Sequence, residues 1–306
     1  MPDDASADPP NLPAVQPAGN QPALVAGLVL VSTPIGNLAD MTFRAVDTLR
    51  RADLILCEDT RTTARLLTHY GITTPTAALH EHNEDAATPR ILARLHGGSC
   101  VALVSDAGTP LVSDPGFRLV RAALAEGLLV HAVPGATAIT MALTLSGLPP
   151  HPYLFLGFAP PRESARRAGF VRLRAAERAG LSATLIWYEA PHRLAGMLAD
   201  LVQTFGDRPA AVARELTKRF EEVRRAPLTD LAAHYASHEA RGEITVVVAP
   251  AQAEAASTED LDPLLIASMR TLTLREAAAA VAETTGLPRR LVYARALALR
   301  AGTEGV

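Results

Sequence analysis

From residue 27 onward, short apolar runs alternate with stretches whose apolar positions recur every three or four residues. That is the pattern of strands alternating with helices. Residues 27–32, 54–57, 77–80, 101–104 and 128–133 predict strands. A helix capped by Thr42 and reaching residue 51, and helices over 60–70, 89–96, 117–126 and 136–146, are predicted between them. Gly147-Leu-Pro-Pro150 is a strong break and places a domain boundary there.

The second half has a different grain. Strands are expected at 153–158, 184–188, 210–215, 221–224 and 243–249, with an arginine-rich helix over 163–178 and another over 194–205. Short or helical connections between the later strands suggest a mixed sheet with antiparallel edges. Beyond an Ala/Ser/Glu linker come three helical stretches near Leu264, Leu274 and Leu291, turned by Thr285-Gly-Leu-Pro288. They read as a helix-turn-helix-like unit. The expected organisation is a Pro-rich, disordered tail over 1–26, a parallel-rich α/β domain over 27–150 and a mixed-sheet α/β domain over 151–250. A linker over 251–260 and a small C-terminal helical module over 261–306 complete it.

Composition narrows the function classes. The chain has 306 residues, 48% of them hydrophobic, and a formal net charge of −3. It can bury a real core, and it advertises no global basic field for nucleic acid, so such a partner must be held by local patches. Its two cysteines, Cys57 and Cys100, fall in predicted buried strands and imply a reducing compartment. No apolar run approaches membrane-spanning length, and the acidic N-terminus does not read as a signal peptide. A cytoplasmic protein is expected.

The most informative chemistry lies in Val101 to Gly116, where an apolar strand runs into a Gly/Pro-punctuated loop. Ligands of open α/β sheets sit on such loops, at the carboxyl ends of strands. The loop carries Asp106 and Asp114 and no basic residue, so a cationic or neutral ligand fits better than a phosphate. The bland reading is a connection whose acids cap turns and the following helix. Loops at 32–40, 105–116 and 134–138 end successive strands and are expected to line one cleft. No Gly-x-Gly dinucleotide fingerprint, Gly-x-Ser-x-Gly elbow or zinc spacing is present.

Several motifs in order then carry a resemblance. They are Ser32-Thr-Pro-Ile-Gly-Asn37, Glu58-Asp-Thr-Arg-Thr62, Ser105-Asp-Ala-Gly-Thr-Pro110, Ser113-Asp-Pro-Gly116, Pro134-Gly-Ala-Thr137, Tyr188-Glu-Ala-Pro-His-Arg193 and Arg214-Glu-Leu-Thr-Lys218. From about Gly27 to the carboxyl end the chain resembles the ribosomal RNA small subunit methyltransferase I family. That family belongs to the tetrapyrrole-methylase-like, class III S-adenosylmethionine-dependent superfamily. The resemblance implies two α/β domains with S-adenosylmethionine held in the cleft between them. It also implies 2′-O-methylation of a decoding-centre cytidine of 16S RNA in the 30S subunit, a homodimer, and a C-terminal module that binds RNA. Asp106, Thr109, Thr137 and Ala138 match donor-contacting positions, and Pro34, Gly36, Gly108 and Tyr188 complete the expected donor site. Precorrin methylases and diphthine synthase share the fold, but the Pro34-Ile-Gly-Asn37 loop departs from theirs.

Methyl transfer to a ribose hydroxyl is an in-line displacement that needs no metal. Positioning two reactants supplies on the order of 7–11 kcal/mol, against a general base at about 10²–10⁴-fold. Candidates for the base or for orienting the hydroxyl are Glu58, Asp59, Glu189, Glu215 and Lys218, the last being the sole lysine of the chain. Glu58 and Asp59 read equally as a helix cap, and Lys218 as a solvent-exposed partner of Glu221. His80 and His82, expected on one side of an extended segment, lack a third metal ligand. Trp187 and Tyr188 are candidates to stack an RNA base, or else core aromatics. For RNA, the expected contacts are Arg162, Arg166, Arg167 and Arg193, with Arg289 and Arg290 in the tail; clustered arginine suits phosphate, or else a solvated helix face. Two alternatives stay open: a tetrapyrrole methylase of the same fold, and a non-catalytic RNA-binding assembly factor.

Overall fold

The computed structural model describes residues 26–251, 258–285 and 287–303. All but one residue of the expected tail, residues 252–257 of the expected linker and Gly286 of the expected turn lie outside the described residues. The first half folds as β1 (Gly27–Val31), α1 (Phe43–Arg51), β2 (Leu54–Cys57), α2 (Thr60–His69), β3 (Thr76–Ala78), α3 (Glu84–His96), β4 (Cys100–Leu103), α4 (Phe117–Ala125), β5 (Val130–Val133) and α5 (Ala138–Ser146). The second half runs β6 (Tyr153–Phe158), α6 (Glu163–Arg178), β7 (Thr184–Glu189), α7 (Leu194–Phe205), β8 (Pro209–Arg214), β9 (Glu222–Pro227), α8 (Leu228–Ser237) and β10 (Ile244–Val248). Helices α9 (Thr258–Ser268), α10 (Leu274–Thr285) and α11 (Arg289–Thr303) close the chain.

Five parallel strands form the first sheet, in the order β3-β2-β4-β1-β5. Its central strands are apolar on both faces because each face is covered. Leu49, Leu66 and Leu67 of α1 and α2 meet Val29, Ile55 and Ala102 on one side. Ile91, Leu95 and Leu119 of α3 and α4 meet Leu28, Leu56 and Val101 on the other. Cys57 and Cys100 are buried free thiols within this sheet.

Helix α3 begins five residues before the predicted start at Pro89. Proline suits the first helical turn, which is why the sequence pointed there, yet Pro89 sits inside the helix. Extending the helix backward buries Glu84, whose Oε1 accepts the Leu119 amide of α4 at 2.9 Å.

The second sheet is mixed, in the order β6-β7-β10-β8-β9, with β6 parallel to β7 and the remaining pairs antiparallel. Helices α6, α7 and α8 cover one face around Phe170, Leu198 and Leu231. The opposite face receives α5 through Ile139, Ala142 and Leu143, together with Ile35 from the β1 loop. The chain breaks after Gly147, but α5 already packs under the second sheet, so the two α/β units share a core. The helices α9–α11 enclose a core of their own, around Leu265, Val281 and Val292. Among the described residues, no helix is long and apolar enough to cross a membrane.

Candidate functional site

The carboxyl ends of β1, β4 and β5 come together as the strand order requires. Hydrogen bonds then tie their loops. Thr33 and Gly108 exchange backbone bonds at 2.8 and 3.2 Å, and Gly108 stands at φ +82°, where a side chain would be strained. Thr109 Oγ1 lies 3.0 Å from Ser32 Oγ and 3.4 Å from the Ala136 carbonyl, so one hydroxyl links all three loops. Leu111 and Ser113 also hold left-handed backbone, as do Glu215 and Thr217 across the cleft. Such strain persists only where the surroundings over-determine it, and it gathers at functional sites.

The second sheet supplies the opposite wall. Register places Ile244 opposite Glu189 on one side and Arg214 on the other. One end of that sheet therefore presents Tyr188, Glu189, Glu243 and Thr245 to the loops of the first. Between the two walls lies a cavity of about 300 Å³. Ile35, Gly108, Thr109, Val112, Asp114, Thr137, Ala138 and Leu216 line it, as do Phe158, Tyr188, Glu189, Pro191, Glu243 and Thr245.

Its electrostatics are one-sided. Asp114, Glu189 and Glu243 line it, and no lysine or arginine does. Burial, reinforced by the carboxylates of Glu58 and Asp106, pushes Asp114 up to about 6. Burial and Asp114 together push the Tyr188 phenol up to about 12, so it keeps its proton. Glu189 is 2% exposed. Its Oε1 accepts the Ala190 amide at 2.8 Å and Arg193 Nε at 2.6 Å, while its Oε2 has no protein partner. A compact ligand with positive charge and hydrogen-bond donors suits this wall, and the sulfonium and ammonium groups of S-adenosylmethionine have that chemistry.

Among the expected donor-site residues, Gly108, Thr109, Thr137, Ala138 and Tyr188 line the cavity. Pro34, Gly36 and Asp106 are not among the residues that line it. Lys218 lies against Gly36, where a Cβ would come within 2.4 Å of the lysine Cγ. Asp106 accepts the Asp59 amide at 3.2 Å, and burial raises its carboxyl against the lowering by that bond.

The expected bases fare differently. Lys218 is no base here: its Nζ lies 2.8 Å from Glu215 and 3.2 Å from Glu243. Burial alone would lower its pKa, but those two carboxylates outweigh it and raise it, so the ammonium stays charged. Glu215 is lowered by its bond to Lys218 and also accepts the Glu243 amide at 3.0 Å, making it a strut. Asp59 caps α2 through the Arg61 amide at 2.8 Å. Glu58, raised chiefly by burial and next by Asp106, lies outside the cavity and acts on it through Asp114.

Two expected RNA contacts, Arg166 and Arg193, are used internally, while Arg167 stays exposed although it also pairs with Asp200. Arg166, 6% exposed, holds Asp200 at 2.6 Å, and Arg167 Nε reaches the other oxygen of Asp200 at 2.6 Å. Arg193 holds Glu189 and the Ala159 carbonyl, the latter at 2.7 Å. A helix that must pack against α7 turns part of its charge inward, and composition does not reveal which part. Arg162, Arg167, Arg289 and Arg290 are exposed. His80 and His82 do not share a strand face: β3 stops at Ala78, and Asn83 Oδ1 accepts the His80 amide at 2.8 Å in a turn. No cluster of three metal-ligating side chains occurs among the described residues.

The site holds Asp114, which the sequence marked as a loop acid without a catalytic role, and residues given no role there: Phe158, Pro191, Glu243, Thr245, Ile35 and Leu216. Asp114 carried a signal, an acid on a loop free of basic residues. Glu243 and Thr245 carried none, because only strand register brings them to the wall.

Comparison with known proteins agrees in extent. Residues 27–232 match the family described as Tetrapyrrole (Corrin/Porphyrin) Methylases, and residues 255–300 match the RsmI C-terminal HTH domain. A protein of Mesorhizobium japonicum named Ribosomal RNA small subunit methyltransferase I is 47% identical over 90% of this chain and 93% of its own length. Proteins of the same name are similar in Pseudomonas aeruginosa, at 48% over 88% of this chain and 96% of theirs, and in Escherichia coli O157:H7, at 42% over 88% and 94%. Among solved structures, uroporphyrin-III C-methyl transferase from Thermus thermophilus, complexed with S-adenyl homocysteine, shares the fold. It has a TM-score of 0.51 and 20% identity over 73% of this chain and 97% of that one. A diphthine synthase does so with a TM-score of 0.55 and 16% identity, over 72% and 89%.

Proposed function

The chain belongs to the ribosomal RNA small subunit methyltransferase I family of tetrapyrrole methylases, and on that premise we propose that it 2′-O-methylates a decoding-centre cytidine of 16S RNA. It is an S-adenosylmethionine-dependent methyltransferase with an RNA substrate. The finer reading adds the 30S subunit as the substrate particle, a homodimer as the working form and the cytoplasm as its place. The observation that carries the reading is the acid-lined, cation-free cavity formed jointly by three loops of the parallel sheet and the end of the mixed one.

Gly108, Thr109, Thr137, Ala138 and Tyr188 are the residues assigned to hold the donor, with the free Glu189 oxygen available to one of its N–H or O–H groups. S-adenosylmethionine, when bound, supplies an electrophilic methyl group on a sulfonium. The apolar members of the wall, Ile35, Val112 and Leu216, exclude water and strengthen every charge interaction inside. Asp114 is assigned the ribose hydroxyl proton: a carboxyl at about 6 is ionised at neutral pH and still basic enough to accept. Lys218, kept cationic, orients Glu243 at the rim. Arg162, Arg289 and Arg290 are assigned to RNA phosphates.

The test is methyl transfer from labelled S-adenosylmethionine to 30S particles lacking the modification. Nucleoside mass spectrometry should find 2′-O-methylcytidine. Particles that stay unmodified, or a methyl group on a base, would overturn the reading.

A further inference from the structure

Strand β6 changes its facing inside six residues. Leu154 and Leu156 pack toward α6, α7 and α8, while Phe155 packs on the α5 face with Tyr188. Strict alternation would send Phe158 with the leucines. The pairing with β7 prevents that: Phe155 lies opposite Ile186 but Phe158 lies opposite Tyr188, so three steps on β6 match two on β7. The extra residue is a bulge, and Gly157 occupies it at φ +66°, a conformation that favours glycine. Both phenylalanines therefore stand on the Tyr188 side, with ring centroids 4.8 Å (Phe155) and 5.6 Å (Phe158) from it.

The consequence is unusual for a large apolar ring. Phe155 is packed away, whereas Phe158 is 55% exposed and lines the cavity. A bulge that moves a phenylalanine out of a core and onto a cavity mouth forfeits burial of its area. We propose that Phe158 is the stacking platform for the target nucleobase, swung out of the RNA so that its ribose reaches the cavity; this rests on the RNA reading above.

A ribose hydroxyl is displayed in the shallow minor groove of an RNA helix, but a cavity set between two walls admits it only from a nucleotide that has left the helix, and an unstacked base finds its partner on an aromatic face. Arginine and lysine are absent from this wall, so a flat π-surface, and not a phosphate contact, is what it offers. Tyr188 offers less of its ring, since Phe155 and Phe158 both pack against it. Phe158 is a positioning residue: it holds the base and leaves the chemistry to other groups.

The experiment compares wild type with F158A, F158L and F158W, using 30S particles lacking the modification and calorimetry with S-adenosylmethionine. F158A should lose roughly 5- to 150-fold in kcat/KM for the particle while donor affinity stays within about twofold. F158L, which keeps bulk but no π-face, should fall with F158A, and F158W should recover most of the activity. Unchanged RNA turnover in F158A overturns the proposal, as does F158L behaving like wild type. An equal loss of donor affinity also overturns it, because the ring would then belong to the donor site. If wild type itself leaves the particles unmethylated, the RNA reading fails and this proposal with it.

Discussion

Lys218 lies where a side chain on Gly36 would have to stand: a Cβ there would come within 2.4 Å of Lys218 Cγ and 2.8 Å of its Cε. The contact joins the loop after β1 to the loop between β8 and β9, across the two sheets. On the far side the same ammonium holds Glu215 and Glu243. Gly36 thus sets the position of the chain's sole lysine, which sets the rim carboxylate.

Substituting Gly36→Ala should push the lysine stem aside and cost about 10- to 100-fold in kcat/KM, the usual scale for a misplacement near 1 Å. Because the effect runs through Lys218, the double variant G36A/K218A should be no worse than K218A alone. Steady-state kinetics of the three variants decide it. Additive losses would mean that Gly36 acts on the donor loop directly.

Asp114 yields a paired prediction for activity and stability. Its carboxyl is raised from 3.8 to about 6 in the folded chain. A raised acid favours folding while protonated, and that contribution is lost as pH rises through about 6. Asp114→Asn should therefore stabilise the protein at pH 7–8, by about 1 kcal/mol after discounting for its partial exposure. That corresponds to a Tm rise of about 2–4 °C. The gain should fade as pH falls from 6 toward 4. Activity should move the other way: wild type loses rate below about pH 6, and D114N should lack that limb and run about 10²–10⁴-fold slower at pH 8. Paired melting curves and pH–rate profiles test both halves, and a variant equally active at pH 8 would remove Asp114 as the proton acceptor.

How much of this was legible in the chain depends on the range of the interaction involved. Strands such as β4 and helices α6 and α7 follow from local apolar periodicity, the start of α1 from its Thr42 cap, and the three glycine- and proline-marked loops pointed to the cleft. What the sequence could not supply was pairing. Glu243 joins Glu189 only because β10 lies between β7 and β8 in a particular register, and Phe158 reaches the cavity only through a bulge at Gly157. Charge was misleading for the same reason. Arg166 looks like its neighbours in composition, yet it is spent on Asp200, a residue 34 positions away.

That ion pair separates folding from recognition. Asp200 is buried, with a side chain only 2% exposed, and Arg166 and Arg167 both hold it. Arg166→Ala leaves a carboxylate buried with one partner fewer, so it should destabilise by about 3–5 kcal/mol. Denaturant unfolding should show this with donor affinity unchanged at temperatures where the variant is folded. A stable R166A protein with weakened RNA binding would return Arg166 to the RNA-facing set.

The exposed arginines of the helical module should behave in the opposite way. Arg289 and Arg290 begin α11, are exposed, and flank a core formed by Val292 and Ala296 that does not use them. Losing them should leave melting temperature and S-adenosylmethionine affinity unchanged. If each contacts a phosphate, R289A/R290A weakens RNA binding at low salt and reduces the slope of log K against log salt by about 1.5, the counterion release of two contacts. Fluorescence anisotropy with a small-subunit RNA fragment between 50 and 200 mM salt, values that bracket physiological ionic strength, measures that slope. Arg162→Ala, just before α6, should remove a further increment of about 0.7, and the increments should add because the sites share no partner. A slope that the tail variant leaves untouched would place the phosphate contacts elsewhere and leave the module's arginines as a solvated helix face.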